Sequence, residues 1–293
     1  MAQTALGIDL GGTRIKGVIL QDGAVVDSLY FPTGEGEAFK PAVLDAVRQL
    51  QQAAGGTVKA VGLSAPGIPD ETNRCIAVMP GRLPGLEGFI WSDYLGIPAF
   101  VLNDAVCALV AEARLGAAKG YRNVVLLTLG TGVGGAIMID GKPYQGAFNK
   151  AGHWGHTSVQ SDGFADVTGM PGSIEEAIGN VSIERRSLGR FHSTQELLDG
   201  VLDNDPFAQW LWLSSVQQLS VTVAGISNAL SPEAVVIGGG IAHAGEVLFT
   251  PLRRFMEIYE WRPSGQGTEI VKAAFSDLAG AAGAACFAME RSE

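Results

Sequence analysis

Short apolar runs recur along the 293-residue chain, broken by glycine-rich turns and separated by stretches in which apolar residues return every three or four positions. The first run, from Leu6, passes through Asp9-Leu10-Gly11-Gly12-Thr13 into a second that ends at Leu20, which predicts two strands joined by a turn. Val25 to Phe31 reads as a third strand, and Phe39 to Ala54 as a helix with Pro41 in its first turn and Gly55-Gly56 beyond its end. Val58 to Leu63 is a short buried strand leading into Ser64-Ala65-Pro66-Gly67. Pro69 to Gly88 shows several Gly and Pro residues and no period, and is read as a loop. Ala99 to Leu102 is a further strand, after which Asn103-Asp104 opens a helix from Ala105 to Leu115 that Gly116 closes.

The second half starts with the same design. Leu126 to Asp140-Gly141 reads strand, Gly130-Thr131 turn, strand, Asp-Gly turn, and a shift of 118 positions lays Gly12-Thr13 on Gly130-Thr131 and Asp22-Gly23 on Asp140-Gly141. Gly146 to Gly172 is glycine-rich, aromatic and polar. Ser193-Thr194-Gln195-Glu196 has the form of a capping box for a helix ending near Asn204. Asp205-Pro206 starts a long helix to about Leu230, stopped by Ser231-Pro232. A strand over Ala234 to Ile237, the Gly238-Gly239-Gly240 turn, a helix near Glu246 to Tyr259, a strand near Glu269 to Ala273 and an Ala/Gly-rich helix to Met289 complete the chain. Alternating strands and helices predict an α/β layer structure. The repeat predicts two similar domains, residues 1–115 with the returning helix of 276–293, and residues 116–275, each presenting its hairpin to a shared cleft.

Composition narrows the classes. The chain is 47% apolar and 17% charged, as in a folded globular protein. Its formal net charge is −10 with no Lys/Arg cluster, which argues against nucleic acid as a partner. No apolar run reaches membrane-spanning length and no secretory leader pattern opens the chain. Three scattered cysteines, Cys75, Cys107 and Cys286, suit reduced thiols in a cytoplasm.

The chemistry concentrates at the turns. Successive N–H groups of Gly11-Gly12-Thr13 form a concavity that suits phosphate, Asp9 suits a hydrated Mg²⁺, and Lys16 suits a phosphate as a point charge. Read alone, the same stretch is also an ordinary β-hairpin. Asp104 stands where a strand ends and a helix begins, a place that suits either a helix cap or a reactive carboxylate favoured as the anion by the helix dipole. Gly238 to Gly240, alone, is a strand-to-helix turn.

Taken together, Asp9-Leu10-Gly11-Gly12-Thr13 with Lys16, Asn103-Asp104, Gly130-Thr131-Gly132-Val133-Gly134-Gly135, Gly152 to His156, Glu175 and Gly238-Gly239-Gly240 resemble, in order, the ROK (repressor, open reading frame, kinase) family of bacterial sugar kinases and sugar-sensing repressors. The resemblance covers almost the whole chain. It implies the duplicated ribonuclease-H-like fold of actin and hexokinase, an α/β fold with two domains around a central cleft. It implies an ATP-dependent kinase that moves the γ-phosphate to a hexose hydroxyl, of glucose or an N-acetylhexosamine, with Asp104 as general base and Asn103 orienting the sugar. The phosphates would lie between Gly11-Gly12-Thr13 and Gly130-Thr131-Gly132, with Mg²⁺ near Asp9, and Gly239 and Gly240 would lie beside the adenosine. His156 and Glu175 match sugar-binding positions, and the family commonly forms homodimers.

Three departures bear on recognition. His153 replaces the family's glutamate, so His153 joins His156 as a candidate sugar contact. No cysteine occurs from 157 to 180, so no structural zinc is expected; a metal on the two histidines with Asp162 or Asp166 is the alternative to a hydrogen-bonding role. Arg82 stands where many members carry asparagine, near the expected sugar entrance. Three other readings accompany the kinase: a degenerate member that binds a sugar without turnover, an unrelated metabolite kinase of the same superfold, and a repressor. Only five residues precede Leu6, which argues against the repressor's helix-turn-helix.

Overall fold

The computed structural model describes residues 4–79, 83–263 and 265–292. Its chain divides into two compact units: Met1–Gly120, Pro143–Ala151 and Ala274–Glu293 form unit 1, and Tyr121–Lys142 with Gly152–Ala273 form unit 2.

Unit 1 is built on a five-stranded sheet. The strands β1 (Thr4–Leu10), β2 (Arg14–Gln21) and β3 (Ala24–Pro32) form an antiparallel meander. The helix α1 (Phe39–Ala54) carries the chain to β4 (Val58–Ala65), which pairs parallel with β1. A two-stranded ribbon of β5 (Ile68–Pro69) and β6 (Ile76–Val78), and a short helix α2 (Trp91–Leu95), precede β7 (Ala99–Asn103) and α3 (Asp104–Arg114). The sheet order is β3-β2-β1-β4-β7. The ribbon corrects the reading of Pro69 to Gly88 as plain loop. Buried Asn73 fixes it to β7 by donating to the Val101 carbonyl at 3.1 Å while its own carbonyl accepts from the Val101 N–H, a long-range pairing that no local period reveals.

Unit 2 repeats the plan. It contains β8 (Val124–Leu129), β9 (Val133–Ile139), the short helices α4 (Ile174–Ile178) and α5 (Ile183–Arg186), α6 (Thr194–Leu202), α7 (Pro206–Leu230), β11 (Ala234–Gly238), α8 (Glu246–Tyr259) and β12 (Glu269–Lys272), and its sheet is edged by β10 (Lys142–Tyr144), of which only Lys142 falls within the unit. The sheet order β10-β9-β8-β11-β12 matches that of unit 1. Both sheets set an antiparallel hairpin beside parallel strands, and the chain has the duplicated α/β fold that its motifs imply. The hairpins differ by one residue: four residues join Leu10 to its partner Ile15, and three join Leu129 to Val133.

The helix starts follow capping chemistry. Asp205 accepts from the Phe207 and Ala208 N–H groups, and Pro206 supplies the first residue of α7. Ser193 Oγ accepts from Glu196 N–H, but the Glu196 carboxylate returns to His192 N–H rather than to Ser193, so only half of the capping box forms. That helix, α6, ends at Leu202, short of Asn204.

The last helix, α9 (Ala279–Arg291), packs in unit 1 against β1, β4 and α3. Glycines on the strands make its approach possible: a Cβ on Gly7 would strike the Ala281 carbonyl, and one on Gly62 the Ala284 carbonyl. On the other side of the sheet α1 buries Phe39, Val43, Ala46, Val47 and Leu50 against Leu6, Ile8, Ile15 and Trp91. These two layers hold the carboxyl end of β1, where Asp9 lies, between packed elements.

Candidate functional site

Asp9, the penultimate residue of β1, faces Lys16 across the β1–β2 ladder. Its Oδ1 accepts a 2.7 Å hydrogen bond from Ser64 Oγ on β4, and its Oδ2 lies 3.5 Å from Lys16 Nζ. Ser64 also bonds the Cys107 thiol of α3. Lys16 Nζ is 2.8 Å from Asp277 Oδ1 and donates to the Asp277 carbonyl at 3.0 Å. Burial pulls the Lys16 ammonium down, but the hydrogen bond to Asp277 and the charges of Asp9 and Asp277 outweigh it and hold the group above its ordinary value. The hydrogen bond from Lys16 and its charge hold Asp277 below the usual carboxylate range. The structure thus places Lys16 between two carboxylates and not on the open face of the turn.

The turn itself is braced from β3's end. Thr33, buried, donates its hydroxyl to the Gly11 carbonyl at 2.7 Å, and its N–H donates to the Thr13 carbonyl at 3.2 Å. Gly11 N–H closes the turn on the Arg14 carbonyl, and Gly12 has open space where a side chain would stand. The exposed Gly12 and Thr13 backbone suits an anion.

Asn103 ends β7 and is the cap of α3. Its Oδ1 accepts from Ala105 N–H at 2.9 Å and its Nδ2 donates to the Gly67 carbonyl at 3.0 Å. Asp104 is therefore the first residue of α3 and not its cap, one residue ahead of the helix start read from the sequence. Its side chain is exposed, with Oδ1 accepting from Ala105 N–H at 2.8 Å. Burial first, then the charges of Asp9 and Asp104, push the Cys107 thiol well above its ordinary value, against the Ser64 hydrogen bond. Cys107 is thus close to both acids.

In unit 2, the Gly130-Thr131-Gly132 turn is locked by backbone bonds from the α4–α5 segment: Asn180 N–H to the Gly130 carbonyl at 2.9 Å and Val181 N–H to the Thr131 carbonyl at 2.8 Å. Glu175 on α4 accepts from Val133 N–H at 3.0 Å, and a Cβ on Gly132 would strike its carboxylate. The structure places Glu175 against the turn. Gly239 adopts φ +84°, and a Cβ there would lie 2.7 Å from the Leu129 backbone nitrogen. Glycine lets the turn after β11 press against the carboxyl end of β8, beside Gly130. Gly240 has open space around it.

His153 caps the 3₁₀ turn Trp154–His156 and His156 is its last residue. His156 Nδ1 lies 2.9 Å from the Asp166 carboxylate. Asp166 is buried; burial would raise it, but bonds from Thr168, His156 and the Met170 N–H hold it well below the usual carboxylate range. With Asp166 ionised, the contact fixes His156 as a donor through Nδ1. Asp162 lines a separate cavity. Among the described residues no three His, Cys, Asp or Glu side chains are grouped to hold a metal. Arg82 lies outside the described residues.

Thr33, Ser64 and Asp277 were not legible as site residues. They lie 22 residues from Gly11, 55 from Asp9 and 261 from Lys16, and only strand pairing and the return of the chain ahead of α9 bring them in.

Comparison with known proteins bears on these turns as a set. A profile described as the ROK family matches residues 5–291. A glucokinase of Thermotoga maritima is 31% identical over 98% of this chain and 97% of that protein. The crystal structure of a ROK hexokinase from Thermus thermophilus aligns with TM-score 0.87 and 30% identity, over 99% of both chains. A Streptomyces griseus ROK glucokinase solved with glucose and AMPPNP aligns with TM-score 0.79 and 26% identity, over 98% of this chain and 99% of that one.

Proposed function

The chain belongs to the ROK family, and we propose that within it the protein is an ATP-dependent hexose kinase with Asp104 as general base. The observation that carries the reading in this chain is the division of labour at the start of α3. Asn103 supplies the cap, and the Asp104 carboxylate, which shares Ala105 N–H through Oδ1, stands exposed on the first residue of the helix. A carboxylate there accepts the proton of a sugar hydroxyl as that oxygen forms its bond to the γ-phosphorus and the bond to ADP breaks.

The remaining roles follow from how each unit is built. Gly12 and Thr13 in unit 1 and Thr131 and Gly132 in unit 2 offer N–H groups to phosphate oxygens, Gly130 N–H closes its own turn on the Gly132 carbonyl, and both turns are braced by buried or backbone bonds. Open Gly240 beside the constrained Gly239 leaves room for adenosine. Asp9 fits Mg²⁺ that arrives with ATP, because that ion takes one or two carboxylates and completes its shell from water and phosphate. The ion would neutralise charge on the phosphates. Lys16 and Ser64 hold the Asp9 carboxylate in place. His156, fixed by Asp166, contacts sugar hydroxyls through Nε2, and His153 and Asn103 complete the sugar set.

We place the reaction in the cytoplasm, where the three unpaired, buried cysteines remain reduced. We take the working form as a homodimer, which exposed Trp210 and Leu213 on α7 would suit. A coupled ADP-release assay over glucose, N-acetylglucosamine and N-acetylmannosamine tests the activity: turnover on one of them supports it, and sugar binding without turnover on any favours the degenerate reading. The observation that favours this second reading is Glu175, whose carboxylate is engaged with Val133 and the Gly132 turn.

A further inference from the structure

Unit 2 holds a cavity of about 360 Å³ that the proposed chemistry does not use. Val159, Phe164, Ala177 and Leu211 give it apolar walls, with Ser214 and Gln218 of α7 on one side. Arg186 also lines it, and its guanidinium has an unusual set of partners. Nε donates to Ser182 Oγ at 2.9 Å, Nη1 to Ser215 Oγ at 2.7 Å and Nη2 to the Gly179 carbonyl at 3.2 Å. Among the described residues no carboxylate pairs with it: the neighbouring Glu176 is held by Arg185, which also covers the Phe164 ring. Burial, and then the Arg185 charge, pull Arg186 down to about 10, so it is still a cation at neutral pH.

A largely enclosed cation without a counter-ion is costly, and two of the five guanidinium N–H groups remain for an acceptor. A carboxylate matches that fork and cancels a single charge. Glu176 and Asp162 in the same wall weigh against a phosphate dianion, and the apolar walls suit a carbon body. Two of the three partners of Arg186, Ser182 and Gly179, also belong to the segment that locks the Gly130-Thr131-Gly132 turn. Gly179 lies against Thr131 and Gly132, and Asn180 and Val181 bond the turn directly.

From this placement the geometry points to a pocket for a small organic carboxylate that meets Arg186 and whose occupancy is felt at the Gly130-Thr131-Gly132 turn. The coupling rests on that turn being a nucleotide contact; the binding does not. Calorimetric titration of benzoate, with benzamide and inorganic phosphate as controls, into nucleotide-free protein tests the binding. Arg186→Gln removes the cation, and Ser214→Phe fills the cavity while leaving Arg186 in place; a melting curve checks each fold. Benzoate is expected to bind about ten-fold tighter than benzamide and to lose about ten-fold in both variants. Saturating benzoate is expected to change AMPPNP affinity about two-fold or more in the parent and not in Ser214→Phe. Benzoate binding no tighter than benzamide, unaltered by Ser214→Phe, or weaker than inorganic phosphate would overturn the pocket. AMPPNP binding indifferent to benzoate would overturn the coupling, whereas failure of AMPPNP to bind at all would count against the kinase reading and leave the benzoate titration to decide the pocket.

Discussion

Gly280, in the first turn of α9, lies against the carboxylate of Asp9: a Cβ built on it would stand 2.6 Å from Oδ1 and 2.7 Å from Ser64 Oγ. The amino end of that helix therefore meets the acid directly. One methyl group at this position cannot fit without moving Asp9 or the helix. Gly280→Ala is expected to cost about 1–3 kcal/mol by overpacking and to reduce phosphoryl transfer more than its melting point alone explains. Parallel melting and turnover curves decide it; unchanged turnover would show that the position of Asp9 is not critical.

Lys16 stands between Asp9 and Asp277, and Lys16→Met leaves two acids facing each other. The loss is expected to be about 1–2 kcal/mol at neutral pH, at the level of a charged hydrogen bond. Its pH dependence has a definite sign. Asp277 is held below its ordinary value, so the stability it contributes is present above the unfolded carboxylate range and is lost as pH falls through the lower folded value. The raised Lys16 contributes below its ordinary range and loses this only at strongly alkaline pH. Urea unfolding of parent and variant should give curves well separated at pH 6 that converge as the pH falls through and below the ordinary carboxylate range; a constant gap would contradict the pairing.

Asn103 and Asp104 are adjacent but differ in duty. Asn103→Ala removes the cap of α3 and the tie to Gly67, and is expected to lower stability by about 1 kcal/mol or somewhat more. Thermal unfolding measures this, and an unchanged midpoint would mean that the cap does not matter here.

Glu175→Ala removes the acceptor for Val133 N–H beside Gly132. Loosening that turn is expected to raise KM for ATP by about ten-fold, roughly 1.4 kcal/mol of binding, while KM for sugar changes less. Glu175→Gln keeps an acceptor oxygen and should fall between. A rise confined to the sugar KM would instead assign Glu175 to the sugar.

Much of the fold was legible because the signals were local. α1 and α8 begin and end at the residues their periodicity indicates, and the two Gly-Thr hairpins announce the repeated sheets. The ribbon at Ile68–Val78 was not legible, since two paired positions carry no period and its anchor, Asn73, bonds a strand 28 residues away. The site divides in the same way. Asp9, Gly12 and Asp104 sit at turns that sequence marks directly, but the cap that Asp104 could have supplied falls to Asn103, one residue earlier, because Asn fills that role as well as Asp does. The brace from Thr33, the Asp277 side of the Lys16 pairing and the Asp166 partner of His156 depend on tertiary contacts, not on spacing.

The central claim is that Asp104 takes the sugar proton. Asp104→Asn preserves shape and leaves the Asn103 cap in place, so its melting curve should overlay that of the parent. Single-turnover phosphoryl transfer on the best sugar of the panel should fall by about 10²–10⁴-fold, with sugar binding nearly retained. Turnover within about two-fold of the parent in a fully folded Asp104→Asn protein would contradict the account.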